Sequence, residues 1–349
     1  MTQSIAPIRL SSAWTGKELK AREDWIWHLD AAERDDIDRA LAAVRSNGLR
    51  ACEFSAADFP LTTFAKRLDA VRRELTQGRG FVLLRGLRIE GLPLDDIMSV
   101  YWGIGCHVGT IKSQNAKGVM LERIEDRGIL KPGATPDPNL RSYVTNERQT
   151  AHSDQSDLVS LMCVEKAMTG GESVVVSGHA IYNRILETRP ELIPLLQRGF
   201  FHDQRGEVAS GDIDAISDVR VPVCAQTDGL VRFWFHGKKI RNGERKNGTP
   251  LSGLAAEAVD LVERLAEDPD LRLDMDLERG DIQLLNNFSM LHYRQGFQDG
   301  GGRKRLMLRL WIELAQSGPM DAAMARWARA GIDRHEWAFK KAHVALGET

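Results

Sequence analysis

The sequence predicts a mainly β protein with helices packed around it, and three observations carry that reading. From Cys106 to Cys224 the chain consists of short apolar runs cut by Gly and Pro, the mark of many strands in a sandwich or barrel. The first hundred residues, and again Met320 to Ala345, instead carry apolar positions at helical spacing. No internal repeat divides the 349 residues, and β barrels of this length commonly form one domain. A single domain is expected, with a helical part at about 1–79, a strand-rich core at about 80–316 and a helical tail at about 317–349.

In chain order, Ala31 to Arg45 places Ile37, Leu41 and Val44 on one helical face with charges between them. Phe64 to Leu75 repeats the pattern. Gly80 to Leu84 reads as a short strand, and Leu94 to Trp102 as a helix whose first turn holds Asp95 and Asp96, where negative charge suits the helix dipole. Val159 to Val164 and Ser173 to Val176 are the clearest strands, flanking the turn Thr169-Gly170-Gly171. Ser177 can cap a helix that starts near His179 and runs into Arg184. Surface loops are expected over Leu130 to Thr150, Gln204 to Val219 and the basic run Lys238 to Asn247, the last read as a solvated loop in preference to an anion site. Met320 to Ala345 reads as a helix or helix pair without chemistry.

A hydrophobic share of 42% with eight Trp can fill a sizeable core, which excludes disorder as the main state. A formal net charge of -2 offers no overall field for nucleic acid or anionic lipid, so the expected partners are small molecules, with a homo-oligomer left open. No segment approaches the ~18 apolar residues of a membrane span, and Met1 to Leu10 holds no continuous apolar stretch; a cytoplasmic location is the expectation. Cys52, Cys106, Cys163 and Cys224 stand far apart without a CxxC pair, so they are expected to pack as reduced apolar residues.

The chemistry concentrates in three segments. In Ala151-His152-Ser153-Asp154, an extended chain would put His152 and Asp154 on one face roughly 6.5 Å apart along the strand, so an imidazole and a carboxylate can converge on one metal ion. Alone this is weak, because nine histidines among many acids yield such a triplet by chance. His28-Leu29-Asp30 is another, read as structural because it lies beside helical sequence, where i and i+2 do not face each other. The second segment is a turn into a strand at Gly280 to Asn287, then Met290-Leu291-His292-Tyr293. In the third, Arg305, Met307, Arg309 and Trp311 alternate with Leu306, Leu308, Leu310 and Ile312. One face is aliphatic and should pack on the helical shell. The other points two guanidinium groups either to the surface or into a polar pocket that holds carboxylates.

Together these residues make the sequence resemble the taurine dioxygenase and 2,4-dichlorophenoxyacetate dioxygenase family of iron(II)/2-oxoglutarate enzymes, from about Gly80 to Glu313. The resemblance rests on His152-Ser153-Asp154, Thr169-Gly170-Gly171-Glu172-Ser173, Asn286-Asn287 leading to Leu291-His292, then Phe297-Gln298-Asp299 and Arg305 to Trp311, with Arg305 placed 13 positions after His292. It implies a double-stranded β-helix, or jelly roll, with flanking helices. It implies His152, Asp154 and His292 as ligands of Fe(II), and Arg305 and Ser173 as partners of the distal carboxylate of the cosubstrate 2-oxoglutarate. Arg309 matches an arginine that in some members meets an acidic group of the substrate. The implied reaction consumes O2, releases succinate and CO2, and most commonly hydroxylates a small organic substrate, here expected to be an acid or amino acid derivative. Asp154 keeps the carboxylate ligand, so halogenation is not expected; desaturation, ring closure and cleavage stay open.

Two other readings fit a barrel: a metal-dependent hydrolase or lyase on a cupin-like barrel, and a non-catalytic jelly-roll sensor. The first does not need Arg305, and the second does not need an intact ligand triad.

Overall fold

In a computed structural model, described over residues 6–130, 141–208 and 210–332, most strands gather into two facing sheets with helices outside, and four more form two separate two-stranded pairs. The strands are β1 (Ile26–His28), β2 (Phe81–Arg85), β3 (Thr110–Lys112), β4 (Leu121–Ile124), β5 (Leu158–Glu165), β6 (Thr169–Gly170), β7 (Ser173–Ser177), β8 (Cys224–Thr227), β9 (Leu230–Phe233), β10 (Arg272–Met275), β11 (Ile282–Asn286), β12 (Met290–Arg294), β13 (Phe297–Gln298) and β14 (Leu306–Glu313). The helices are α1 (Gly16–Lys20), α2 (Ala31–Ser46), α3 (Thr63–Gln77), α4 (Leu94–Val108), α5 (Gly178–Thr188), α6 (Ile193–Arg198), α7 (Gly237–Lys246), α8 (Gly253–Ala266) and α9 (Ala322–Ile332).

The larger sheet runs β1-β2-β11-β5-β14-β3, with β4 also on β14; the smaller runs β10-β7-β12, and the two pairs are β6 with β13 and β8 with β9. The two sheets stay separate hydrogen-bonded units, the open jelly-roll arrangement, and the strand period decides what each face meets. On β14, Leu308, Leu310 and Ile312 enter the core shared with α2, α3 and α4, while Met307 and Trp311 point between the sheets to join Val159, Cys163, Val175 and Leu285. The outer face of β7, Val174 and Val176, packs under Ile181, Ile185 and Val259 of α5 and α8. The aliphatic face expected to meet the helical shell does so. Truncating a wholly buried leucine such as Leu308 to Ala costs about 2–5 kcal/mol.

Two local expectations change. Trp25-Ile26-Trp27-His28 is not helix-like but enters β1, parallel to β2, and Asp30 begins α2 by a capping box: its carboxylate accepts from the Glu33 amide at 2.8 Å and Glu33 accepts from the Asp30 amide at 3.0 Å. His28 stays a structural residue. The basic run is not a loop but helix α7, started where the His236 ring accepts from the Lys239 amide and anchored by buried Ile240, Gly243 and Glu244. In the tail, α9 accounts for 322–332; the remainder of the expected helical segment, to Ala345, lies outside the described residues, as do 131–140 of the proline-bearing loop. Ser177 caps α5 as expected, its hydroxyl accepting from the Ala180 amide at 2.9 Å.

Candidate active site

The site forms where β12 and the extended segment before β5 lie side by side. His152 and His292 exchange backbone hydrogen bonds at 3.1 and 2.9 Å, which sets their rings 4.5 Å apart. Next, Ser153 donates its amide to the Phe235 carbonyl at 2.7 Å, and the Asp154 amide donates to the Asn287 side chain at 2.8 Å. Asn287, fully buried, turns its own amide nitrogen to the Ser156 carbonyl at 3.0 Å, so the short segment is pinned from both sides. With the chain extended here, Asp154 returns to the His152 face. His152 Nε2 is 3.9 Å from Asp154 Oδ1 and His292 Nε2 is 3.6 Å from Asp154 Oδ2. Histidine and carboxylate donor atoms of the three residues all lie within 4.8 Å of one another.

The protonation pattern suits a cation. His152 Nδ1 meets the Thr150 carbonyl at 2.8 Å, which holds the proton on that nitrogen and leaves the Nε2 lone pair facing Asp154 and His292. Burial, then the neighbouring His292 ring, holds His152 down to about 4 and so neutral near pH 7. Burial works against the Asp154 carboxylate, but Arg309 and then His292 outweigh it and keep it well below the usual carboxylate range. Trp311 orients that carboxylate, donating Nε1 to Oδ2 at 2.9 Å. Two imidazoles, that of His152 held neutral, and one ionised carboxylate fit a divalent iron site with open positions.

A cavity of about 210 Å³ opens over His152 and Asp154. Arg309, from the inward face of β14, reaches it with Nη1 3.8 Å from Asp154 Oδ2 and Nε donating to Gln114 Oε1 at 2.5 Å. Gln114 in turn donates to the Arg309 carbonyl at 2.7 Å, so the guanidinium is held by a reciprocal pair of hydrogen bonds from the segment after β3. Arg141, Arg148, Arg205, Lys238 and Lys239 line the same cavity. His236 lines it too, its ring 5.2 Å from His152, and burial and then Arg205 keep it neutral.

Arg305 sits deeper, in a separate small cavity with Gly170, Gly171 and Met307. It is 6% exposed; Nη1 has no hydrogen-bond partner, and Nη2 reaches only the Gly171 carbonyl at 3.4 Å. Gly171, at φ +83, makes that room, since a Cβ there would stand 2.9 Å from Arg305 Nε. Burial lowers Arg305 to about 10. Ser173 is on the inward face of β7, opposite Arg294 of β12, and its hydroxyl donates to Gln283 at 2.9 Å. The structure therefore brings His152, Asp154 and Arg309 to one cavity, sets His292 against Asp154 behind it, and places Arg305 and Ser173 between the sheets.

Several residues of the site escape sequence reasoning. Arg294 is one, an inward arginine whose Nη2 donates to the Thr145 and Glu147 carbonyls at 2.9 and 2.7 Å. Its period-two place beside His292 was a readable signal. Arg205 and His236 gave none, because their approach to His152 depends on long-range packing.

Comparison with known proteins adds three findings. The profile of the family described as taurine catabolism dioxygenase TauD, TfdA matches residues 45–311. FR-33289 synthase of Streptomyces rubellomurinus is 29% identical over 96% of both chains, and the taurine hydroxylase-like protein SAT17 of Stachybotrys chartarum is 30% identical over 85% of this chain and 77% of its own. Among solved structures, asparagine oxygenase in complex with Fe(II), 2S,3S-3-hydroxyasparagine and succinate superposes with a TM-score of 0.64 at 15% identity, covering 83% of this chain and 93% of that one; at such identity the likeness is one of fold.

Proposed function

The chain belongs to the taurine catabolism dioxygenase TauD, TfdA family, and on that footing we propose that His152, Asp154 and His292 hold its iron(II), with Arg305 and Ser173 receiving 2-oxoglutarate and Arg309 the substrate. The protein is an iron(II)- and 2-oxoglutarate-dependent dioxygenase that hydroxylates a small organic substrate, releasing succinate and CO2. When bound, iron(II) with 2-oxoglutarate and O2 supplies the oxidising power to replace a C–H bond by C–OH.

The observation that carries the residue assignment is the convergence of two imidazoles and one carboxylate within 4.8 Å, with Asp154 ionised and His152 neutral. Asn287 holds the Asp154 backbone amide, Trp311 positions the Asp154 carboxylate, and Gln114 positions Arg309. Arg305 supports the cosubstrate reading because it is a buried cation with an unpartnered Nη1 in a space kept open by Gly171. A carboxylate there would accept a charge-assisted, bidentate pair. A water-activating hydrolase does not need that group, and a binding protein does not need the intact ligand triad beside it. Arg309, beside the ligand carboxylate and lining the cavity, suits an acidic group on the substrate, so the substrate is a small acid or an amino acid derivative.

The test is to incubate the iron(II)-loaded enzyme with 2-oxoglutarate, air and a panel of small acids and amino acids. Succinate release should rise with acids or amino acids and not with neutral compounds of the same size. Stimulation by neutral compounds alone would overturn the assignment of Arg309.

A further inference from the structure

The wall of the cavity over His152 and Asp154 is cationic beyond what one acidic group requires. Arg141, Arg148, Arg205, Lys238, Lys239 and Arg309 line it, against a single carboxylate, Asp154, among the described lining residues. Two of the cations are answered from outside the cavity: Arg141 by Glu207, and Arg148 by Glu267 at 2.9 Å. Arg205 is not. Its Nε is buried without a hydrogen-bond partner, and the carboxylates that feel its charge are engaged elsewhere. Glu207 accepts from Arg141 and from the Ala116 amide at 2.5 Å. Asp203, wholly buried, accepts from Lys246 Nζ at 2.8 Å, from Asn242 at 3.2 Å and from the Arg205 backbone amide at 2.8 Å.

These contacts also show that the position is built. Asp203 is tied to α7 through Lys246 and through its own amide, which donates to the Lys239 carbonyl at 2.9 Å. It thereby fixes the turn that Arg205 occupies at φ +52, a left-handed conformation uncommon for a residue with a long side chain. Strained backbone of this kind survives where surrounding contacts over-determine it, and it concentrates at binding sites. Burial, then repulsion from Arg141, lowers Arg205 to about 10, so it stays charged near pH 7 and lacks an anion.

Counting charge on the site assignments above, iron(II) is balanced by Asp154 and the near carboxylate of 2-oxoglutarate, and Arg305 by the far carboxylate. Of the four arginines that line the cavity, Arg141 and Arg148 have carboxylate partners, and Arg309 and Arg205 are left over. We propose that the substrate carries two negative charges, one met by Arg309 and the second by Arg205, so that Arg205 is a specificity-determining residue. This inference rests on that reading of the site. A phosphonate or phosphate monoester places both charges on one head; a dicarboxylate places them on two.

The experiment uses the iron(II) protein saturated with 2-oxoglutarate under anaerobic, mildly alkaline conditions and titrates four probes by calorimetry: methylphosphonate and malonate as dianions, acetate and methanesulfonate as monoanions. At least one dianion should bind about tenfold to a hundredfold more tightly than either monoanion, as a further charged hydrogen bond allows. Whether it is methylphosphonate or malonate tells how the charges are spaced. Arg205→Gln should erase the difference while leaving monoanion and 2-oxoglutarate binding unchanged, and Arg205→Lys should restore part of it. Equal binding of dianions and monoanions, or an unchanged preference in Arg205→Gln, would overturn the role of Arg205. Loss of 2-oxoglutarate binding by the wild-type iron(II) protein would instead bring down the site assignment on which the inference stands.

Discussion

Replacing Arg305 by Lys isolates the proposed cosubstrate anchor. The guanidinium is buried over the Phe297 ring at 5.2 Å and has only the 3.4 Å contact to the Gly171 carbonyl, with Nη1 unpartnered. Burial lowers it to about 10 and so disfavours its charged form, and a bound carboxylate would recover part of that cost. Lysine keeps the charge but not the planar fork, so one of two parallel hydrogen bonds is lost. At about 1.5–3 kcal/mol for a charged hydrogen bond, the apparent Kd for 2-oxoglutarate should rise about tenfold to a hundredfold. Calorimetric titration of 2-oxoglutarate into the anaerobic iron(II) protein measures it. Because the lone cation destabilises the unliganded fold, Arg305→Leu should unfold at no lower temperature than wild type without 2-oxoglutarate and lose the stabilisation that the cosubstrate gives. Unchanged affinity in Arg305→Lys would refute the reasoning and place the anchor elsewhere.

Three further perturbations bear on other parts of the site. His292→Ala removes one of three donors, so iron(II) content after equilibration and desalting should fall well below wild type while circular dichroism is retained; wild-type iron content would sink the triad. Arg309→Gln should weaken binding of an identified acidic substrate about tenfold or more with unchanged 2-oxoglutarate affinity; if thermal stability falls and substrate binding does not, Arg309 is a structural partner of Asp154. His202 is wholly buried between Trp234 and Trp327, at 5.0 and 5.1 Å, with both ring nitrogens unpartnered, and burial and then Lys239 lower it to about 3. Below pH 6.5 the unfolded chain takes up a proton there and the folded chain does not, so this group removes stability as pH falls from about 6.5 to 3, by up to about 1.4 kcal/mol per unit. His202→Phe should match wild-type Tm near pH 7 and show a shallower loss in acid; identical acid profiles would contradict the burial argument.

How much could be read from sequence differs by residue. Arg305, Arg309 and Trp311 were legible as one face of a strand because strand period is a local property, but that face could equally have met solvent, and only the packing of Met307 and Trp311 between the sheets turns it inward. His152, Asp154 and His292 were legible as an ordered set, although no spacing could say that backbone pairing of His152 with His292 closes the triangle. Helix α7 was obscured because, among Lys238, Lys239, Arg241, Arg245 and Lys246, Ile240 is its one buried apolar side chain, and its start depends on an unusual cap, the His236 ring. The β1 strand was missed since three residues beside helical sequence carry too little period to declare themselves. Arg205 lay in a stretch read as a surface loop, and only the tertiary anchor at Asp203 turns it toward the cavity.

On the proposed reading, iron(II) and 2-oxoglutarate bind together at His152, Asp154, His292 and Arg305. Anaerobic addition of both to the purified protein, followed in the visible spectrum, tests this without knowledge of the substrate. A weak charge-transfer absorption that needs both components and is absent in His292→Ala is expected. Protein that binds iron(II) yet gives no such band with saturating 2-oxoglutarate would overturn the assignment.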